Sequence, residues 1–327
     1  MQYALTLMAL AVCAGAADEA PAPRAAGPQE ADRGVIAVLR RDGVMFPFAT
    51  FRGTTWSAPW PGGVNNIELP INLASIPERW WGGWRPEAWQ AWLTDGTARP
   101  IRALEPTQFR VHCGRRIGIT TDYKAAEPIP MLPVNPFPKD GVAATAGTRI
   151  ESIEIVGRSE EEWGALAIAL LEDFDGVEDR EVSAVAAIAR WRHPTPAEDR
   201  HARPVRIESW YRTNVDDEVV ASYIEAVRSY PPGPEDNGCG LETLFSGWVY
   251  HEKGKLARRD LVARLTYCDR VNATYMLPFG RMRLRDRVYW LAQLSGHEAE
   301  WYAVAWLDRR RARVVVEYFA GSLDSCR

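Results

Sequence analysis

The stretch VYWLAQLSGHEAEWYAVAWLDRRRARVVVEYF, residues 288–319, decides the fold class. It contains three short runs rich in aromatic and β-branched residues, separated first by a glycine and then by a cluster of arginines. Runs of this composition between turn residues predict β-strands. The first two runs, VYWLAQL and WYAVAWL, are apolar at nearly every position. This pattern predicts strands that are buried on both faces or that cover another part of the chain.

Five similar runs lie upstream, between residues 205 and 284. They are VRIESWYRT, VASYIEAVRSY, LETLFSGWVYH, LVARLTYC and TYMLPFGRMRL. Short strands at close intervals, joined by tight turns, predict antiparallel sheets that form a meander, a sandwich or an incomplete barrel.

One amphipathic helix is predicted near residues 159–174. Ser159 is a good N-cap residue and Glu162 follows three positions later, which is the capping-box arrangement. Apolar side chains then recur at helical spacing, and Asp175-Gly176 is predicted to end the helix. A second helical segment over 178–191 is weaker, because its β-branched residues favour strands. The fold class is therefore predicted to be β-rich α+β with two β-rich regions.

The first β-rich region, residues 34–127, is built from predicted hairpins. GVIAVLR and VMFPFATF flank Asp42-Gly43, and Asp-Gly between apolar runs favours a hairpin turn. Pro47 inside the second run predicts a bulge or an edge strand. A second Asp-Gly, at 95–96, follows the run AWQAWL. In both places a proline comes four residues after the glycine. The offset of 53 residues indicates either a duplicated hairpin or a coincidence.

A proline-rich stretch separates this region from the rest of the chain. Five prolines lie between residues 128 and 138, which neither a helix nor a central strand tolerates. We therefore predict a linker or strap over 128–150, followed by a C-terminal α+β domain over 151–327.

The N-terminus has the pattern of an export signal. Residues 1–16 include an uncharged apolar stretch that is too short to span a bilayer, and they end in Ala-Gly-Ala. Residues 17–33 are rich in alanine, proline and charge, which predicts a disordered tether. Cys13 follows Leu-Ala-Val, which is similar to a lipoprotein signal and makes a lipid anchor at Cys13 the alternative. The predicted localisation is therefore exported, either periplasmic or secreted, and no later segment is suited to cross a membrane.

Four cysteines remain once the predicted signal peptide is removed. An even number in an exported chain predicts two disulfides. If the runs on either side of Gly254 form a hairpin, Cys239 and Cys268 meet at its open end. The second pair is then Cys113 with Cys326. No pair has the ligand spacing of a zinc site, so no metal is predicted.

The segment WWGGWRPEAWQAW, residues 80–92, holds five of the 14 tryptophans. Trp89 and Trp92 belong to a predicted strand and therefore point to opposite faces. The other three surround two glycines in a connection, where they are predicted either to cover the end of a sheet or to form a ligand surface. The candidate ligand-binding residues are Trp80, Trp81, Trp84 and Arg85.

Catalytic and cofactor motifs are missing from the sequence. It has no G-x-S-x-G nucleophile elbow and no glycine-rich phosphate loop, and His297-Glu298 lacks the second histidine of a zinc protease helix. Alternating arginines at 281, 283 and 285 and the cluster at 309–313 offer anion contacts. The commoner explanation for such arginines is a solvated strand face or edge protection.

Three functional classes follow from these features. The leading hypothesis is an exported, non-catalytic binding or envelope-interaction protein of unknown ligand, with a protein or a glycan as partner. The alternatives are a glycan-binding module that uses exposed tryptophans, and a secreted hydrolase with a discontinuous active site. No cofactor is predicted. A net charge of −4 supplies no positive field for nucleic acid.

Overall fold

The computed structural model describes most of the chain, and the β-rich α+β class is confirmed. The described residues are 33–59, 72–83, 86–111, 114–128, 137–145, 147–189, 191–232, 238–271, 273–296 and 299–322. They form three antiparallel sheets and three α-helices. None of these helices has the length and apolar composition needed to span a membrane. The predicted signal peptide, the tether before Arg33, and Cys13 lie outside the described residues.

The N-terminal sheet has eight strands. Their bounds are β1 (Arg33–Arg40), β2 (Val44–Arg52), β3 (Thr55–Ser57), β4 (Trp89–Leu93), β5 (Ala98–Ile101), β6 (Ala103–Val111), β7 (Gly114–Thr121) and β8 (Lys139–Thr145). The order across the sheet is β5-β4-β8-β1-β2-β7-β6, and β3 pairs with β2.

Both predicted Asp-Gly hairpins are present in this sheet. Gly43 joins β1 to β2 with φ +81°, and Gly96 joins β4 to β5 with φ +84°, so each turn uses a conformation that favours glycine. The predicted bulge in β2 is also present. Ile36 faces Ala49 but Ala37 faces Pro47, so Phe48 is the extra residue of the bulged strand.

The helix-covered sheet follows in the chain. It comprises β10 (Glu154–Ile155), β11 (Arg206–Asn214), β12 (Val219–Ser229), β13 (Leu241–Glu252) and β14 (Lys255–Tyr267), in chain order across the sheet. Its outer face packs against helices that carry the apolar residues Leu170, Phe174 and Val177. The helices are α1 (Glu160–Ala169), α2 (Leu171–Ala189) and α3 (Ala197–His201).

The middle sheet contains the stretch that decided the fold class. Its strands are β9 (Ile150–Glu151), β15 (Thr274–Leu284), β16 (Arg287–Gly296), β17 (Ala299–Leu307) and β18 (Ala312–Ser322). Tyr289 and Leu291 pack against the N-terminal sheet, whereas Val288 and Trp290 pack against the helix-covered sheet. The two faces of β16 are therefore both buried, which is why its sequence shows no alternation of polar and apolar residues.

The helical layer differs from the prediction at two points. The predicted single helix near 159–174 is interrupted at Leu170, so that α1 ends at Ala169 and α2 begins at Leu171. Ser159 caps α1 by accepting a hydrogen bond from the Glu162 amide at 3.3 Å, as the capping box predicts. The predicted end at Asp175-Gly176 is wrong, because α2 runs through both residues to Ala189. Burial of Phe174 and Val177 against the helix-covered sheet outweighs the low helix propensity of one glycine.

Residues on both sides of the predicted linker share one hydrophobic core. Lys139–Thr145, inside the segment 128–150, forms β8 between β4 and β1 of the N-terminal sheet. A single cluster joins Phe46 of that sheet to Tyr302 of the middle sheet, with ring centroids 4.8 Å apart. The N-terminal and middle sheets thus pack as adjoining layers.

A disulfide joins Cys239 to Cys268, the pair that the hairpin geometry favours. Its Cα atoms are 5.2 Å apart, at the open end of the hairpin formed by β13 and β14. Cys113 and Cys326 lie outside the described residues, so their pairing stays a prediction.

Candidate functional site

Three side chains of the tryptophan segment 80–92, Trp80, Trp81 and Trp89, pack on the outer face of the N-terminal sheet. Trp80 lies in a short 3-10 turn, is 2% exposed, and packs among Ile76 and Trp89. The Trp89 indole donates a hydrogen bond to the Trp80 carbonyl oxygen at 2.8 Å. Trp81 is half-buried against the same cluster. The Trp80 ring is therefore a core side chain without an open face for a ligand.

The structure tests the predictions for Trp89 and Trp92 but not those for Trp84 and Arg85. Trp89 packs on the outer face of the N-terminal sheet and Trp92 on its inner face, as a regular strand requires. Trp84 and Arg85 lie outside the described residues, so a ligand-binding role for them stays a prediction.

Beside the tryptophan segment, the outer face of the N-terminal sheet is open and polar. Strand alternation places Thr50 and Arg52 of β2 on this face, together with Arg33 of β1. The remaining polar floor residues are Thr55, Ser57 and Thr145. Pro77, Arg79 and Glu87 rise beside this floor and enclose a cleft of about 640 Å³, a volume within the range of small-ligand sites. We call it the arginine cleft.

The arginine cleft carries an excess of positive charge. Arg33 and Arg52 are direct cross-strand partners, and like charges in that position repel each other. Neither has an ion pair among the described residues. Arg79 makes only a long contact, with its Nε 3.8 Å from the Glu87 carboxylate. Three arginines and one glutamate in the lining leave a formal charge of +2. The arrangement is suited to hold an anion, because guanidinium groups bind carboxylate, sulfate and phosphate through paired N–H donors.

Sequence reasoning missed these arginines. The pairing of Arg33 with Arg52 depends on the bulge at Phe48, because the register next to the turn is centred on Asp42 and would otherwise pair Arg33 with Phe51. Pro47 predicts a bulge, but the residue that it brings opposite Arg33 could not be predicted from the hairpin alone. The position of Arg79 across the cleft depends on the packing of Trp80, which no local pattern reveals.

The most buried ionic cluster elsewhere joins α2 to β12. The Glu178 carboxylate is inaccessible and accepts hydrogen bonds from Arg228 Nη1 and from the Tyr230 hydroxyl, each at 2.5 Å. Asp175 accepts a further bond from Arg228 at 2.6 Å. Every partner lies at the contact between the helices and the sheet, so the cluster fixes α2 in place.

A second buried cluster joins the N-terminal and middle sheets. Lys139 of β8 lies 2.7 Å from the Glu300 carboxylate of β17, which also accepts a bond from the Tyr302 hydroxyl. Burial lowers the pKa of the Lys139 ammonium, and the Glu300 charge opposes that shift. This ion pair therefore connects β8 of the N-terminal sheet to β17 of the middle sheet.

A third buried group is the carboxyl of Glu225. It is 1% exposed in β12 and faces the middle sheet, where the Met276 amide donates a hydrogen bond to it at 2.6 Å. Burial raises the pKa of this carboxyl to about 7. The titratable groups that interact electrostatically with it are Glu208, Tyr211, Tyr223 and Tyr275. Arg270 binds the carboxylate of Glu208.

The arginines singled out in the sequence have internal partners or lie in turns. Arg281 contacts Glu151 and the Thr213 hydroxyl, and Arg283 donates to the Val215 carbonyl. Arg285 has φ +56° in the turn after β15, so the predicted row of three is shortened to two. Arg309 forms ion pairs whose partners are Asp216, Glu218 and Glu252.

The described residues include no group of three or more His, Cys, Asp or Glu side chains placed to hold a metal ion. Comparisons with protein-family models, curated proteins and solved structures find no match to this chain. The proposed function therefore rests on the chemistry of the described residues.

Proposed function

We propose that this protein is an exported binding protein that holds an anionic ligand in the arginine cleft. The observation that carries the proposal is the cross-strand pair Arg33 and Arg52, which has no carboxylate partner among the described residues. Like charges at directly opposed strand positions repel each other, and an anion bound between them replaces that repulsion with charge-assisted hydrogen bonds.

The proposed export is supported by the chemistry of the cysteines. The disulfide between Cys239 and Cys268 is typical of proteins that fold in an oxidising compartment. The apolar stretch of residues 1–16 supports the same destination.

Calorimetric titration with citrate and with pyrophosphate at low ionic strength tests the anion site. We expect both to bind and to weaken as sodium chloride is added. The double variant Arg33→Gln/Arg52→Gln should lose affinity by about tenfold or more, because each charge-assisted bond contributes substantially. Arg258→Gln is the matched control, since Arg258 is an exposed arginine of β14 outside the cleft. Failure of both anions to bind, or an equal loss in the control, refutes the proposal.

A further inference from the structure

Hydroxyl groups lie beside the guanidinium groups on the floor of the arginine cleft. Thr50 Oγ1 and Ser57 Oγ are 2.8 Å apart and form one hydrogen-bonded pair across β2 and β3. A hydroxyl has one donor and two acceptor sites, so this pair keeps acceptor sites for a ligand. Thr55 is the cross-strand partner of Arg52, which places another hydroxyl next to a guanidinium.

This combination offers complementary partners to two kinds of ligand group. The guanidinium groups only donate hydrogen bonds, and they match anionic or ring oxygens. The hydroxyl oxygens accept bonds from hydroxyl hydrogens of the ligand. A ligand that carries negative charge and several hydroxyl groups satisfies both.

The apolar residues of the cleft floor are buried, and the exposed apolar surface of the cleft comes from Ala58, Pro59 and Pro77. Val35, Phe51 and Trp80 are 6%, 4% and 2% exposed, so their side chains already belong to the cores of the sheet. Peptide recognition commonly uses pockets for apolar or aromatic anchors or a free strand edge, and arginine clusters also recognise acidic peptides. The nearby strand β3 has only three residues. An acidic peptide would therefore bind through charge contacts and its backbone N–H donors, and it would bring fewer donors to the floor hydroxyls than a sugar does.

We infer that the ligand of the arginine cleft is an acidic carbohydrate, a sugar chain that bears carboxylate or sulfate groups. This inference rests on the proposed function, since it names the chemical class of the anion held by Arg33 and Arg52. The charged groups of the sugar bind the arginines, and its hydroxyls bind the floor at Thr50, Thr55 and Ser57.

Titration with four oligomers of equal length tests the inference. The probes are oligogalacturonate, a sulfated dextran oligomer, oligoglutamate and unmodified dextran. We expect at least one acidic sugar to bind about tenfold more tightly than oligoglutamate, since its hydroxyls add several neutral hydrogen bonds. Unmodified dextran should bind far more weakly than either acidic sugar.

Floor variants separate the sugar contacts from the charge contacts. Thr50→Val should weaken binding of the acidic sugar by about threefold to tenfold and leave binding of pyrophosphate, which has no alcohol hydroxyl, unchanged. Thr107→Val, on β6 outside the cleft lining, should change neither. If oligoglutamate binds as tightly as both sugars, or if Thr50→Val weakens pyrophosphate binding equally, the carbohydrate class is wrong while the anion site remains. If citrate and every charged oligomer fail to bind, the proposed function itself is wrong.

Discussion

Glu225→Gln should remove most of a large pH dependence of stability. The carboxyl of Glu225 is 1% exposed, and its pKa is raised from 4.5 to about 7 by burial. The pKa difference of about 2.5, at about 1.4 kcal/mol for each pH unit, corresponds to about 3 kcal/mol of unfolding free energy. Glutamine keeps a carbonyl oxygen that can accept the hydrogen bond from the Met276 amide.

The direction of this pH dependence follows from which state of the protein, folded or unfolded, binds the Glu225 proton more tightly. Because the pKa is higher in the folded state, the folded protein binds this proton more strongly than the unfolded chain does. The stabilisation is fully present below about pH 4.5 and is lost as the pH rises through about 7. The natural protein should therefore become less stable relative to Glu225→Gln as the pH increases.

Urea unfolding at pH 5 and pH 8 measures this effect. The difference in unfolding free energy between Glu225→Gln and the natural protein should shift by about 2 to 3 kcal/mol between the two pH values, in favour of the variant at pH 8. Glu317→Gln, which replaces an exposed carboxylate of β18, is the control and should show no comparable shift. An equal difference at both pH values for Glu225→Gln would refute the reasoning.

Three further predictions concern stability, each measured by urea unfolding at a single pH. Arg228→Met should cost about 3 to 5 kcal/mol, because it leaves the inaccessible Glu178 carboxylate without its main cation. Replacing Cys239 and Cys268 together by serine should cost about 3 to 4 kcal/mol, given the 29-residue separation that the bond closes. Trp80→Ala should cost about 3 to 5 kcal/mol, since it empties a core position that is 2% exposed.

Each of these three predictions has a control experiment that tests the stated cause of the lost stability. Arg264→Met breaks an exposed pair with Glu181 and should cost less than about 1 kcal/mol. A reducing agent should destabilise the natural protein at least as much as the serine double variant does, because it also opens the predicted bond between Cys113 and Cys326. Trp81→Ala removes a half-buried ring and should cost less than Trp80→Ala; equal costs would contradict the assigned burial.

Local patterns predicted much of the fold. The eight runs between residues 205 and 319 all form strands, and the hairpin turns at Gly43, Gly96 and Gly254 are where the sequence places them. These features depend on neighbouring residues, namely turn chemistry and strand composition, so a single sequence reveals them. The pairing of Cys239 with Cys268 follows from one of these hairpins.

Features set by distant packing were not predictable in the same way. The insertion of β8 between β4 and β1 joins segments far apart in the chain, and no local pattern specifies that order. The passage of α2 through Gly176 reflects burial against the helix-covered sheet, which overrides propensity. The arginine cleft was missed for the same reason, because Arg79 reaches it only through the packing of the tryptophan segment.

The position of the middle sheet has a consequence for the order in which the molecule can fold. Its four long strands come from residues 274–322, although they lie between layers made from earlier parts of the chain. During synthesis the N-terminal sheet appears first, with Phe46 and Phe48 on a face that nothing yet covers. That face and the inner face of the helix-covered sheet both stay uncovered until residues 274–322 have been synthesised. The chain must therefore remain protected from aggregation until its final strands arrive to complete both cores.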